Sequence, residues 1–260
     1  MQDAFIEFLA FILKQVRACT FVALFFAGVL LVPRAGVFGV ARYDLLLIIA
    51  LAIQAWMVWS ELETLDELKT ICLFHAVGFL LEVFKTSHGI RSWSYPEPGY
   101  TKLWGVPLFS GFMYAAVGSY VIQAWRLFEL RVRHHPPYWM AWLMAAAIYA
   151  NFFTHHYIPD CRGYIAACTL GLYARTTVQY RPLRTVRRMP LLLSFILIGF
   201  FIWLAENIST FYGVWPYPNQ FGAWATVHIG KWSSWSLMVI MTFTMVANLK
   251  HIKAHIHVPE

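Results

Sequence analysis

Two glutamates stand in stretches where an apolar chain has little reason to keep them. Glu82 opens the string EVFKTSHGIRSWSYP at residues 82–96, and Glu206 opens ENISTFYGVWPYP at 206–218. Each is followed at i+4 by a threonine (Thr86, Thr210), then by a glycine (Gly89, Gly213), then by Trp-x-Tyr-Pro. A carboxylic acid kept away from water holds its proton and can deliver it to a base as weak as a carbon–carbon double bond. Indole and phenol rings stabilise a cation formed beside them. Residue types and order therefore point to acid–base chemistry. Glu82 and Glu206 are the expected proton donors or acceptors, and Trp93, Tyr95, Trp215 and Tyr217 the expected lining.

Helical spacing adds to each set. Glu82 and Thr86 share a face, as do Glu206 and Thr210, and His75 falls seven residues before Glu82 on the same stripe. His75, Thr86, Asn207 and Thr210 join the expected substrate-binding residues. A third polar group lies in NFFTHHYIPDCR at 151–162. There Asn151 is a further binding candidate, and His155, His156 and Asp160 are further acid–base candidates. The same three could ligate a metal with Glu82 or Glu206 completing the shell. Their spacing matches no zinc motif, however, and hydrogen-bonded structural histidines are the simpler reading. No residue pattern names a cofactor. The four cysteines, Cys19, Cys72, Cys161 and Cys168, have no paired spacing and imply no disulfide framework.

Plainer roles stand beside these. Trp and Tyr gather at membrane interfaces as anchors. Glu82 with Lys85, and Glu206 with Lys231, could form structural ion pairs.

The elements that carry these residues follow from composition. Of 260 residues, 60% are hydrophobic and only 13% charged, against about 25% charged in soluble domains. Runs such as YDLLLIIALAIQAWMVWS approach the ~20 apolar residues a helix needs to cross a bilayer, and none alternates as a barrel strand would. The expected fold is all-α and membrane-integral, with eight spans near 16–33, 43–60, 69–86, 104–125, 137–155, 163–180, 190–208 and 225–248. The segment before the first span reads as an amphipathic lead-in. Lysines and arginines gather at Lys14 and Arg17, in RLFELRVRHH, in RPLRTVRR and in KHIKAHIH. These positions fall on one side of an even-numbered bundle, so that side and both termini are expected to be cytoplasmic, in a multi-pass inner-membrane protein. The net charge of +7 is then a topology signal, and nucleic acid is not an expected partner.

Glu206, Thr210 and Gly213 stand 124 positions after Glu82, Thr86 and Gly89, and Trp215, Tyr217 and Pro218 stand 122 after Trp93, Tyr95 and Pro96. That offset is four spans. It predicts two parallel four-helix repeats, residues 1–136 and 137–260, related by an axis along the membrane normal. ARYD before the second span and CRGY before the sixth are a weaker echo.

The strings FHAVGFLLEVFKTSHGIRSWSYPEPGYTKLWGVPLFSGFMYAAVGSY, NFFTHHYIPDCR and AENISTFYGVWPYPNQ resemble the bacterial integral-membrane family catalogued as domain of unknown function 817. The order of acid, Gly, Trp-x-aromatic and Gly-x-Pro-Leu is also similar to the membrane domains of heterodimeric-type lycopene cyclases and carotenoid hydratases. Where those cyclases carry paired glutamates after Pro-Leu, this chain has Phe109 and Ser110, and HIGKW lacks the Pro-Leu. The second resemblance implies an enzyme acting on an isoprenoid or other lipid, with Glu82 and Glu206 as its acids. Matched intramembrane carboxylates equally suit a proton- or cation-coupled transporter, and a non-enzymatic membrane partner is a third reading. Membrane lipids are the expected surroundings in each, and the number of subunits is left open.

Overall fold

The computed structural model describes residues 2–256; Met1 and residues 257–260, which include His257 of the basic tail and both chain ends, lie outside them. Nine α-helices are described: α1 (Gln2–Ala18), α2 (Thr20–Leu31), α3 (Arg42–Trp59), α4 (Leu65–Thr86), α5 (Ser110–Leu127), α6 (Tyr138–Thr154), α7 (Arg162–Tyr173), α8 (Leu191–Phe211) and α9 (Gly230–Ile256). Among the described residues three segments are long and apolar enough to cross a membrane: Arg42–Trp59, Leu191–Phe211 and Gly230–His251. A fourth is added if α1 and α2 are counted as one bent span. The chain is mostly helical, and these segments mark a membrane protein.

Each expected span contains a helix, with two departures. The lead-in before residue 16 is itself helical, as α1. The expected span 163–180 is not one helix: α7 ends at Tyr173, and its 12 residues reach about 18 Å, short of the ~30 Å hydrocarbon core. The chain then turns into strand β4 (Thr177–Tyr180), which pairs on both sides with β3 (Arg131–Arg133) and β5 (Arg187–Pro190). Two short sheets thus accompany the helices, this one and a two-stranded hairpin, β1 (Lys102–Leu103) with β2 (Val106–Pro107). Local chemistry explains both sheets. Residues 177 and 178 are β-branched Thr and Val, which suit a pleated surface. Trp104 and Gly105 both adopt positive φ, 52° and 83°, the backbone that a tight two-residue hairpin turn demands.

The chain forms two compact units. The first comprises residues 1–18, 121–200 and 232–260. Its core holds Phe128, Ile148, Tyr173, Phe195 and Phe243, with Tyr173 edge-on to Phe195 at 5.7 Å and Phe195 edge-on to Phe243 at 5.4 Å. The second comprises residues 19–120 and 201–231, and so draws on both strings that begin with a glutamate. Its core is a ring cluster in which Phe109 packs on Phe25, Tyr43 and Tyr95, at centroid distances of 6.2, 5.4 and 6.1 Å.

Within the second unit, α4 starts at a capping box. The Thr64 hydroxyl accepts from the Glu67 N–H, and the Glu67 carboxylate accepts from the Thr64 N–H. That pairing satisfies two donors a helix start leaves open and sets where α4 begins, hence where Glu82 emerges five turns later.

Candidate functional site

Glu82 lies in the last turns of α4 and is only 2% exposed. Its Oε2 accepts the Trp93 indole N–H at 2.7 Å and the Tyr95 hydroxyl at 2.8 Å, and its Oε1 accepts the Tyr114 hydroxyl at 2.8 Å. Three donors on one carboxyl group fix both of its oxygens. Indole N–H can only donate, so Oε2 must accept there.

Glu206 occupies the matching place in α8, 5% exposed, and its Oε1 accepts the Tyr217 hydroxyl at 2.5 Å. Each glutamate is thus held by the tyrosine of its own Trp-x-Tyr-Pro turn. Tyr95 and Tyr217 are buried in the loops, and burial first, then the charge of the glutamate each one touches, pushes both phenols well above the ordinary value of 10. Both remain protonated donors at any physiological pH.

The two turns interlock. Trp93 stands edge-on to Tyr217 at 6.0 Å, and Tyr95 is tilted against Trp215 at 6.4 Å. Between them the Ser94 N–H donates to the Pro216 carbonyl at 3.2 Å. The Lys231 ammonium sits over two rings, 4.7 Å from Tyr217 and 5.2 Å from Trp93, a cation–π arrangement.

Residues flanking the motif hold it in place. Gly213 leaves α8 with φ +67°, and a Cβ there would meet the Arg34 guanidinium at 2.2 Å. Gly89 has no such role, because after α4 the positive φ falls on Arg91. Thr86 bonds back to the Glu82 carbonyl, a local helix contact. Thr210 bonds the Asn207 carbonyl and accepts the Trp224 indole N–H at 3.1 Å. Asn207 ties α8 to the segment before α9, donating to the Trp203 carbonyl and accepting the Val227 N–H. His75 packs between Phe79 and Phe112, with its Nδ1 buried and unpartnered.

Sequence reasoning missed several members. Tyr114 comes from α5, and Gly78 makes its approach possible, since a Cβ at Gly78 would meet the Tyr114 ring at 2.4 Å. Gly78 is one helical turn before Glu82, a signal visible in the sequence. ARYD also carries more than an echo. Arg42, 2% exposed, pairs with Glu97 at 3.2 Å and donates to the carbonyls of Tyr212 and Val29. Tyr43 donates to the Val214 carbonyl, and Asp44 accepts from the backbone of Tyr100 and Thr101. Three successive residues at the start of α3 therefore fasten both Trp-x-Tyr-Pro loops. Three polar side chains in a row before an apolar run was the available signal.

Asn151, His155, His156 and Asp160 lie in the first unit and form a cluster of their own. Asn151 donates to Asp160 at 3.1 Å and accepts the Cys161 N–H. Asp160 pairs with Arg162 at 3.1 Å, His155 Nδ1 meets the Asn151 carbonyl at 2.7 Å, and the two histidine rings stand 4.0 Å apart. These contacts close the loop between α6 and α7. Among the described residues no group of three or more His, Cys, Asp or Glu side chains is arranged to hold a metal.

At the point where the paired glutamates of the cyclases would stand, Phe109 and Ser110 are fully buried, and Phe109 is the hub of the ring cluster. Two comparisons locate the chain among known proteins. It is 51% identical over 240 residues to "Uncharacterized protein YoaT" of Bacillus subtilis (strain 168), covering 92% of this chain and 90% of that one. No solved structure matches. The family model described as "Protein of unknown function (DUF817)" matches residues 7–243, and the chain belongs to that family.

Proposed function

We propose that the protein is a multi-pass inner-membrane enzyme that performs acid–base chemistry on an unsaturated isoprenoid or another lipid, with Glu82 and Glu206 as proton donor and acceptor. One observation carries this reading: two buried carboxyl groups are each gripped by the tyrosine of a matching turn, and the rings of those two turns pack on each other. In the step proposed, the O–H of one carboxylic acid breaks and a C–H bond forms at one carbon of a substrate double bond. The neighbouring carbon becomes a cation, and the resulting carboxylate or its partner removes a proton from an adjacent carbon. Loss of that proton completes an isomerisation or, where a second double bond has closed onto the cation, a cyclisation. Addition of water to the cation would complete a hydration. Trp93, Tyr95, Trp215 and Tyr217 offer the electron-rich faces such a cation needs.

The reading includes eight spans in two parallel repeats, residues 1–136 and 137–260, with both termini cytoplasmic. The matched positions of Glu82 and Glu206 in α4 and α8 support it, as does the crossed pairing of Trp93 with Tyr217 and Tyr95 with Trp215.

A second reading, proton- or cation-coupled transport of a small solute, is favoured by Lys231: an ammonium already rests on the ring faces above the carboxyl pair. One experiment separates the two. Membranes from cells expressing wild type, E82Q or E206Q are extracted for lipid mass spectrometry, and the same proteins are placed in proteoliposomes for proton flux. A lipid product lost in both variants supports the enzyme. Unchanged lipids with flux abolished by either variant would replace it with the transporter.

A further inference from the structure

A second surface, in the first unit, has no part in the chemistry above. The sheet β3-β4-β5 carries Arg131 opposite Gln179 and Gln179 opposite Arg188, and Arg133 opposite Thr177. Residues directly opposite one another in an antiparallel sheet point to the same face. One face therefore presents Arg131, Gln179 and Arg188 as a row, with Arg133 beside it, and all three arginines are exposed. The row between them, Val132, Val178 and Met189, points the other way, and Val178 is buried. At the edge of the basic face Arg131, Gln179 and Arg181 line a small surface cavity, and Arg181 pairs with Glu129 at 2.9 Å.

Helix α1 is fastened to this sheet by its few polar residues. Glu7 accepts the N–H groups of Arg184 and Thr185 in the β4–β5 turn, Lys14 donates to the Arg181 carbonyl, and Phe11 packs on Tyr180 at 5.9 Å. With residues 7, 11 and 14 used in this way, the remaining face, Phe5, Phe8, Leu9, Ile12, Leu13 and Val16, is turned outward and exposed. The turn itself exposes Leu183 and Val186 beside Arg184 and Arg187. Tyr180 shares the face of Val178, so α1 packs on the side of the sheet opposite the arginine row. The apolar side chain beside that row is Val186 of the turn, which lines the same cavity as Arg131 and Gln179. Arginines with an exposed apolar neighbour are the pattern of a surface at the boundary of lipid tails and headgroups.

We propose that this sheet binds the headgroups of anionic phospholipids, with Arg131 and Arg188 on the phosphates and Val186 beside the acyl chains. Charge complementarity selects the occupant. A guanidinium meets phosphate oxygens through two parallel N–H donors, and the arginine row is flanked by apolar side chains that a water-soluble phosphate would leave exposed. The binding depends on neither Glu82 nor Glu206.

The test uses the full chain in a neutral detergent, titrated with phosphatidylglycerol or with phosphatidylcholine of the same acyl chains, and counts bound lipids by native mass spectrometry. Wild type should prefer phosphatidylglycerol. R131Q/R188Q should weaken that binding by about fivefold per arginine removed and leave phosphatidylcholine unchanged, while R91Q, an exposed arginine of the other unit, should do nothing. E129Q, which frees Arg181 from its carboxylate, should bind phosphatidylglycerol more tightly. Equal affinity of wild type for both lipids, or R131Q/R188Q and E129Q both matching wild type, would overturn the proposal. So would displacement of the lipid by excess inorganic phosphate at constant ionic strength, which would make the ligand a soluble anion.

Discussion

The backbone N–H of Ser94 donates to the carbonyl of Pro216 at 3.2 Å, and these two residues hold the same place in two matching Trp-x-Tyr-Pro turns. Proline has no N–H, so the reciprocal bond of the pair cannot form, and the rings on either side complete the junction. Trp93 against Tyr217 and Tyr95 against Trp215 lock the turns together. The two glutamates hang beneath a roof built equally from both strings.

That roof makes the type of replacement at Glu82 decisive. In E82Q the amide oxygen can take the bonds of Trp93 and Tyr95 while the amide N–H₂ donates to the Tyr114 hydroxyl, so the fold should hold while proton transfer is lost. E82L leaves the half-buried Trp93 and the buried Tyr95 and Tyr114 without their acceptor, at about 1–3 kcal/mol for each buried donor. Thermal unfolding in detergent should show E82Q near wild type and E82L far below it; equal stability of the two would contradict the hydrogen-bonding assigned here.

Gly78 and Tyr114 should behave as a pair. A methyl group at Gly78 meets the Tyr114 ring at 2.4 Å, so G78A should cost about 1–3 kcal/mol by overpacking. Truncating the ring clears the space, and the double variant G78A/Y114A should be less destabilised than the sum of the singles. A double-mutant cycle reads this directly, and strict additivity would mean that α4 and α5 do not meet there.

Arg42 is the anchor of the loops above the site, with its side chain 1% exposed and that of Glu97 14% exposed. Removing the guanidinium leaves Glu97 without its ion pair and the Val29 carbonyl without that donor, while the Tyr212 carbonyl keeps the Arg34 Nε–H, so R42A should destabilise by about 3–5 kcal/mol. R42A/E97A should recover part of that loss. Chemical denaturation of the four proteins measures the coupling, and no recovery would indicate that the carbonyl contacts alone carry the stabilisation.

The α6–α7 loop should respond to acid. Partial burial of Asp160 raises its pKa, but the hydrogen bonds from Asn151 and the Arg162 N–H, with the Arg162 charge, outweigh that and hold it below the ordinary 3.8. A carboxylate depressed in the folded state contributes stability that is complete above the unfolded value and is lost as pH falls through the folded one. Between pH 6 and pH 3, wild type should lose a small increment of melting temperature below about pH 4 that D160N lacks. Parallel curves for the two proteins would remove the role assigned to this cluster.

Much of the site was legible from residue types alone. Glu82 and Glu206 stand out because a carboxyl group inside an apolar run is costly, and the Trp-x-Tyr-Pro turns stand out because proline and paired aromatics punctuate such runs. Helix positions followed from length and hydropathy, save at residues 163–180, where apolar content hid β-branched residues that end α7 early. Helix rotation was not legible. A helix that is apolar all round gives no moment to say which side meets which neighbour.

The amino-acid sequence alone determined that the chain is helical and membrane-embedded, and that two similar acid-and-aromatic strings recur along it, because composition and local spacing encode those properties. Only the tertiary structure decided that Tyr114 completes the shell of Glu82, that His75 packs between phenylalanines, and that Asn151 and Asp160 close a separate loop. It alone decided that Arg42 reaches both turns. Each of these depends on how helices rotate and approach one another, and contacts such as Gly78 with Tyr114 are set by side-chain packing across the fold, a quantity that no local pattern carries.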